Sequence, residues 1–200
     1  MNKNDLIMQD LLKRYPVLVK CTENIRNAYK LLEHVFTEKG KLLVCGNGGS
    51  AADSEHIVGE LMKSFVLART VDLDLFKYKN LQYGLPAISL VSQSSLISAV
   101  ANDNGADLVF AQQVMGYGCR GDVLWCISSS GNSENVLKAA EVAKRLGLFV
   151  LGLTGLAGGR LAQISDVCIK VPEKETYKIQ ELHLPVYHCL CMMIENHFFS

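Results

Sequence analysis

Polar and apolar positions change their period repeatedly along this chain. Residues 41–45, KLLVC, form a short apolar run of the kind that makes a buried strand. Gly46-Asn47-Gly48-Gly49-Ser50 breaks the run as a glycine-rich turn. Beyond Ser50 the apolar residues recur with helical spacing at Ile57, Val58, Leu61 and Met62, set against polar Asp53, Glu55, Glu60 and Lys63. A strand feeding a glycine turn that opens a helix presents backbone N–H groups and partial positive charge to an anion. The spacing predicts Ser50 as the N-cap, with Asp53 three residues on in a relative of the capping box.

The same reading extends to both sides. Residues 4–39 carry helical spacing (Ile25, Tyr29, Leu32, Phe36) in two pieces broken near Tyr15-Pro16, with Gly40 as the stop. Residues 67–84 are mixed in charge with no clear period and read as an excursion or flap. Residues 85–90 read as a second strand, 94–100 as a short helix, 102–105 as a turn and 107–117 as a helix. A third strand at 122–128 runs into Ser128-Ser129-Ser130-Gly131-Asn132-Ser133, and a helix at 134–146 ends at Gly147. A fourth strand (148–154), a glycine loop (155–159), a helical turn (160–164) and a fifth strand (167–171) precede a closing helix at 177–199. Near-continuous apolar strands alternating with helices predict an α/β fold: a three-layer sandwich around a five-stranded parallel sheet. Ligands of such sheets sit at the carboxyl ends of the strands, where both the glycine and the serine loops fall. The expected organisation is one domain over residues 1–200, with helical residues 1–39 leading into an α/β core at 40–200.

Composition narrows the class. The 200 residues are 49% hydrophobic and 20% charged, which is globular. Twenty basic residues balance twenty acidic ones, which argues against a partnership with nucleic acid through a basic surface. No apolar run has transmembrane length, and MNKNDLIMQDLLKRYP lacks a signal-peptide core, so no membrane partner is expected. Seven cysteines include no CxxC pair, and Cys45, Cys126, Cys168, Cys189 and Cys191 lie in apolar runs. They read as buried reduced thiols of a cytoplasmic protein.

Three groups carry candidate chemistry. The serine loop holds four hydroxyls and no lysine, which suits a monophosphate better than a triphosphate with magnesium. His56 and Glu60, four apart, share a helix face. Such a pair is commonly a solvated surface contact, and beside an anion loop it can also bind a metal or move protons. On the last helix Gln180 and His188 are eight apart, offset by about 80°, and can reach one cleft. Pro185 removes one backbone bond there, and His183 and His197 read as structural histidines.

CGNGGSAADSEH, ANDNGAD, SSSGNSENV, LTGLAGG and IQELHLPVYH, in this order and over nearly the whole chain, resemble the SIS (sugar isomerase) domain and, within it, the phosphoheptose isomerases. The resemblance implies a flavodoxin-like sheet and interconversion of sedoheptulose 7-phosphate with D-glycero-D-manno-heptose 7-phosphate. It implies a homotetramer with active sites between subunits and one zinc ion per subunit on His56, Glu60, Gln180 and His188. Glu60 and His188 become the expected base and acid. Ser128, Ser129, Ser130 and Ser133 become phosphate ligands, and Asn47, Gly48, Gly49, Ser50, Asn102, Asp103 and Gln180 substrate contacts. The chain departs from better-known members in a longer 67–84 segment and in Leu-Met-Lys-Ser-Phe after Glu60, where Lys63 supplies the charge that arginine often brings. A non-catalytic SIS scaffold, of the kind that partners a replication initiator, and an isomerase of another sugar phosphate are the rival readings.

Overall fold

The computed structural model describes residues 2–200. Five strands form one parallel sheet: β1 (Leu42–Gly46), β2 (Ala87–Ser89), β3 (Val123–Ile127), β4 (Phe149–Thr154) and β5 (Val167–Lys170). Their spatial order is β2-β1-β3-β4-β5, the flavodoxin-like order with a switch point between β1 and β3. Register runs Leu42↔Val123↔Phe149 at one end and Gly46↔Ile127 at the other, so the glycine and serine loops leave neighbouring strands side by side.

Side chains alternate across the sheet, and both faces are dry. Leu42, Val44, Val123, Trp125, Leu151 and Ile169 face one layer of helices. That layer comprises α1 (Lys3–Arg14), α2 (Thr22–Thr37), α3 (Gly49–Met62) and α9 (Thr176–Phe199). Leu43, Cys45, Leu124, Cys126 and Val150 face the other layer. It holds α5 (Ser94–Asp103), α6 (Val109–Tyr117), α7 (Glu134–Leu146) and α8 (Gly159–Ile164). The N-terminal helices therefore complete the main core. Met8, Leu11, Ile25 and Leu32 pack in the same cluster as α9.

Local departures from the expected elements have physical causes. Pro16 starts a six-residue 3₁₀ segment, Pro16–Cys21, before α2 begins. Lys39, not Gly40, takes the left-handed position after α2 (φ 61°), and the N–H groups of Gly40 and Lys39 return to Val35 and Phe36 in a Schellman motif. Gly40 is needed for close packing instead, because a Cβ there would lie 2.9 Å from Val35 and 3.0 Å from the carbonyl of Gly121. β2 is shorter than the expected 85–90 run, with Pro86 just before it at the sheet edge. Asn102 and Asp103 are the last residues of α5, not a turn; the chain reverses at Gly105 (φ 112°). The helix expected at 107–117 opens as a 3₁₀ turn, Ala106–Leu108, before α6. The 67–84 excursion is largely exposed, carries the short helix α4 (Leu73–Phe76), and is pinned at its stem by a Thr70↔Gln82 bridge.

Candidate active site

The glycine loop turns more tightly than its sequence predicts. Gly48, with φ 57°, is the residue before α3, so Ser50 lies inside the first turn and is buried rather than capping it. The N–H of Ser50 donates to the carbonyl of Asn47 at 3.0 Å. The strand end tolerates this only as glycine, since a Cβ on Gly46 would meet the carbonyl of Ser50 at 2.6 Å. Asp53 is then free of any capping duty, and its carboxylate accepts a hydrogen bond from Tyr187 on α9 at 3.1 Å.

Two side-chain amides join the glycine loop to the start of α7, just beyond the serine loop. Asn47 and Asn135 exchange hydrogen bonds in both directions, at 2.9 and 3.0 Å. In the serine loop, Ser128 is buried with its hydroxyl 3.1 Å from that of Ser133, while Ser129 and Ser133 are half-buried and Ser130 is exposed. The Ser130 hydroxyl accepts from the N–H of Asn132 at 3.1 Å. Gly131 (φ 66°) lies against the glycine loop after β4, with its missing Cβ 2.0 Å from the carbonyl of Gly158. The N–H of Arg160 donates to Asn132 at 3.0 Å, so the 155–159 loop braces the serine loop from behind.

The acid/base candidates come from the two helices flanking these loops. Nε2 of His56 is 3.2 Å from Oε1 of Glu60 and 3.4 Å from Nε2 of His188. Lys63 reaches Oε2 of Glu60 at 3.4 Å, in keeping with the charge expected of it. Burial lowers the pKa of His188, His56 beside it lowers it further, and Glu60 opposes both. Burial raises the carboxyl of Asp53, against the opposing pull of the Tyr187 hydrogen bond and of His56. Burial, with Asp53 next, pushes the Tyr187 phenol upward. Gln180 lies over the glycine loop: a Cβ on Gly49 would sit 2.8 Å from its Nε2.

Imidazole and carboxylate are donor types that zinc accepts. A tetrahedral site with zinc bonds of usual length has ligand–ligand edges of about 3.3 Å, close to both separations at Nε2 of His56. Among the described residues, however, no group of three or more His, Cys, Asp or Glu side chains is placed so as to hold a metal ion.

The remaining predicted positions are elsewhere. Asn102 donates to Asp103 at 2.7 Å on an exposed stretch of α5 beside Ser94, Ser95 and Ser98. Among the described residues, no hydrogen bond links this pair to α3, α9 or the serine loop. His197 is a surface partner of Glu33 at 2.9 Å, and His183 is fully buried, as structural histidines. Sequence reasoning missed Asp53 and Tyr187. Their signal was positional: Asp53 is three residues before His56, and Tyr187 adjoins His188.

Parallel strands in 2-1-3-4-5 order, hydroxyl-rich loops at their carboxyl ends and a His/Glu/His cleft beside them define an α/β protein built to hold a phosphorylated small molecule and move its protons. Comparison with known proteins agrees. The family model described as SIS domain matches residues 8–155. A phosphoheptose isomerase of Helicobacter pylori strain P12 is 42% identical over 199 residues, covering 98% of this chain and 97% of the relative. The phosphoheptose isomerase of Aneurinibacillus thermoaerophilus is 41% identical, covering 86% and 80%. Among solved structures, phosphoheptose isomerase GmhA of Neisseria gonorrhoeae superposes with a TM-score of 0.77 at 34% identity, covering 97% of this chain and 94% of that one. The chain belongs to the SIS-domain family and, within it, to the phosphoheptose isomerases.

Proposed function

We propose that this chain is an aldose–ketose isomerase interconverting sedoheptulose 7-phosphate and D-glycero-D-manno-heptose 7-phosphate, the first step of activated-heptose biosynthesis. The observation that carries the reading is the meeting of His56, Glu60 and His188 from two helices, next to loops suited to a phosphate.

From the ketose side, Glu60 removes a proton from C1 while His188 delivers one to the C2 oxygen, giving an enediol. Loss of the O1 proton and protonation of C2 complete the aldose. Ser128, Ser129, Ser130 and Ser133 hold the phosphate, and Asn47, Gly48, Gly49, Ser50, Asn102, Asp103 and Gln180 hold the sugar. Binding energy from the unreactive phosphate then orients C1 and C2 against the two side chains. His56, Glu60, Gln180 and His188 would hold one zinc ion per subunit, which supplies polarisation of the carbonyl when bound.

The assembly proposed is a homotetramer with active sites between subunits. Supporting it, Asn47, Gly48 and Gly49 are exposed in the single chain, as are apolar Met62, Val66, Tyr177 and Leu184 on and beside α3 and α9. The proposed setting is cytoplasmic. All seven cysteines are free thiols, and no described helix is long and apolar enough to cross a membrane.

The test is turnover of sedoheptulose 7-phosphate by purified protein, beside Glu60→Gln and His188→Gln. Conversion by the wild type and its loss in both variants is the expected result. A folded, zinc-supplied wild type that converts none of it sinks this substrate assignment, and a panel of hexose and pentose phosphates then separates another isomerase from a scaffold.

A further inference from the structure

Behind the Glu60–His188 cleft lies an ion pair that the chemistry above does not use. Arg69 and Glu195 are 2% and 1% exposed, and Nε of Arg69 donates to Oε1 of Glu195 at 2.9 Å. The rest of the guanidinium closes the end of α3. Nη1 donates to the carbonyl of Leu61 at 2.6 Å and Nη2 to that of Glu60 at 2.9 Å, two of the carbonyls a helix end leaves without intrahelical partners. The carboxylate of Glu195, from α9, accepts the N–H groups of Phe65 (2.7 Å), Val66 (2.8 Å) and Leu67 (3.1 Å).

Each end of this clasp touches one proposed catalytic residue. Arg69 grips the backbone of Glu60 itself. Glu195 fixes Phe65, whose ring packs 5.3 Å from the imidazole of His188. The clasp also roots the excursion, because the carbonyl of Arg69 accepts from the N–H of Tyr83 at 2.9 Å. A fully buried ion pair is poor evidence of stabilisation, since apolar replacements often serve as well. A planar fork held to three acceptors serves geometry, which a lysine ammonium cannot reproduce.

We propose that Arg69 and Glu195 are positioning residues that set Glu60 against His188. The proposal rests on the reading of those two side chains as base and acid. It is tested with Arg69→Lys, Glu195→Gln and the double variant Arg69→Met/Glu195→Gln, which leaves no unpaired buried charge. Readouts are kcat, KM, melting temperature and the histidine ring signals in 15N NMR.

The expected result is a fall in kcat of about 10- to 100-fold in the folded double variant, with KM within about twofold because the phosphate loop is untouched. Arg69→Lys should fall between that variant and the wild type. Wild-type kcat and KM in the folded double variant overturn the proposal, as does a loss that only follows the folded fraction. If the double variant does not fold, the two single variants are judged by the same criteria. If the wild type converts no heptose phosphate, the functional reading fails separately. The clasp is then decided by NMR: ring signals of His56 and His188 that move in Arg69→Lys uphold it, and unmoved signals reject it.

Discussion

The phenol oxygen of Tyr187 lies 3.0 Å from Nδ1 of His56, while its proton goes to Asp53 at 3.1 Å. A carboxylate on α3 thus orients a tyrosine on α9, which in turn orients the histidine facing Glu60 and His188. Such outer partners of a ligand or catalytic histidine typically carry a 10- to 100-fold effect. Tyr187→Phe is therefore expected to lower kcat by about that range while the protein stays folded. Steady-state kinetics beside circular dichroism checks it; an unchanged kcat would show that His56 needs no such support.

Gly49→Ala should separate stability from activity. The new methyl would enter the space of the Gln180 amide, the mobile end of a long side chain, which can swing away. Gly49 is the first residue of α3 and has no positive φ, so alanine also suits the helix, by up to about 1 kcal/mol. The expected variant melts at the wild-type temperature or above yet turns over poorly. A variant with full activity would remove Gln180 from the site.

Gly131→Ala is expected to do the opposite. Its φ of 66° disfavours any side chain, and the Cβ would lie 2.0 Å from a backbone carbonyl that cannot rotate away. A loss of about 2–4 kcal/mol follows from the two effects together. Denaturant unfolding measures that loss. In whatever fraction stays folded, a raised KM would report the distorted serine loop.

His183 should make stability fall on mild acidification. It is fully buried, and burial lowers its pKa to about 4 against the opposing pull of the Thr154 backbone. The unfolded chain, with an ordinary histidine near pH 6.5, binds the proton more readily. The stability contributed by neutral His183 is present above that value. It is lost as pH falls towards 4, by about 3 kcal/mol. Unfolding curves between pH 7 and pH 4 should show a steeper decline for the wild type than for His183→Gln. Parallel declines would rule His183 out.

Much of the fold could be read from apolar periodicity. β1, β3 and β4 are wholly or almost wholly buried runs, and α7 keeps its stripe between Glu134 and Gly147. Short-range rules failed where packing decided the outcome. Ser50 has the composition of a cap, yet α3 starts at Gly49 and buries Ser50 in its first turn, against the strand end at Gly46. Glu195 has the charge of a surface residue, yet Arg69, 126 positions away, draws it into the core. The same limit applied at the site. Motifs singled out His56, Glu60, Gln180 and His188 as candidates, but the amide exchange between Asn47 and Asn135 depends on the glycine loop meeting the start of α7 in space.

The placement of α9 has a consequence for how the chain is made. It follows all five strands in sequence, yet it supplies Val186, Leu190 and Ile194 to the cluster over Trp125. During translation every strand therefore leaves the ribosome before the helix that completes the layer α1, α2 and α3 begin on one side of the sheet. That side is a natural target for a holding chaperone and a risk for aggregation in the nascent chain. Gln180 and His188 arrive on the same helix, so a half-made polypeptide can hold neither a finished core nor a working cleft.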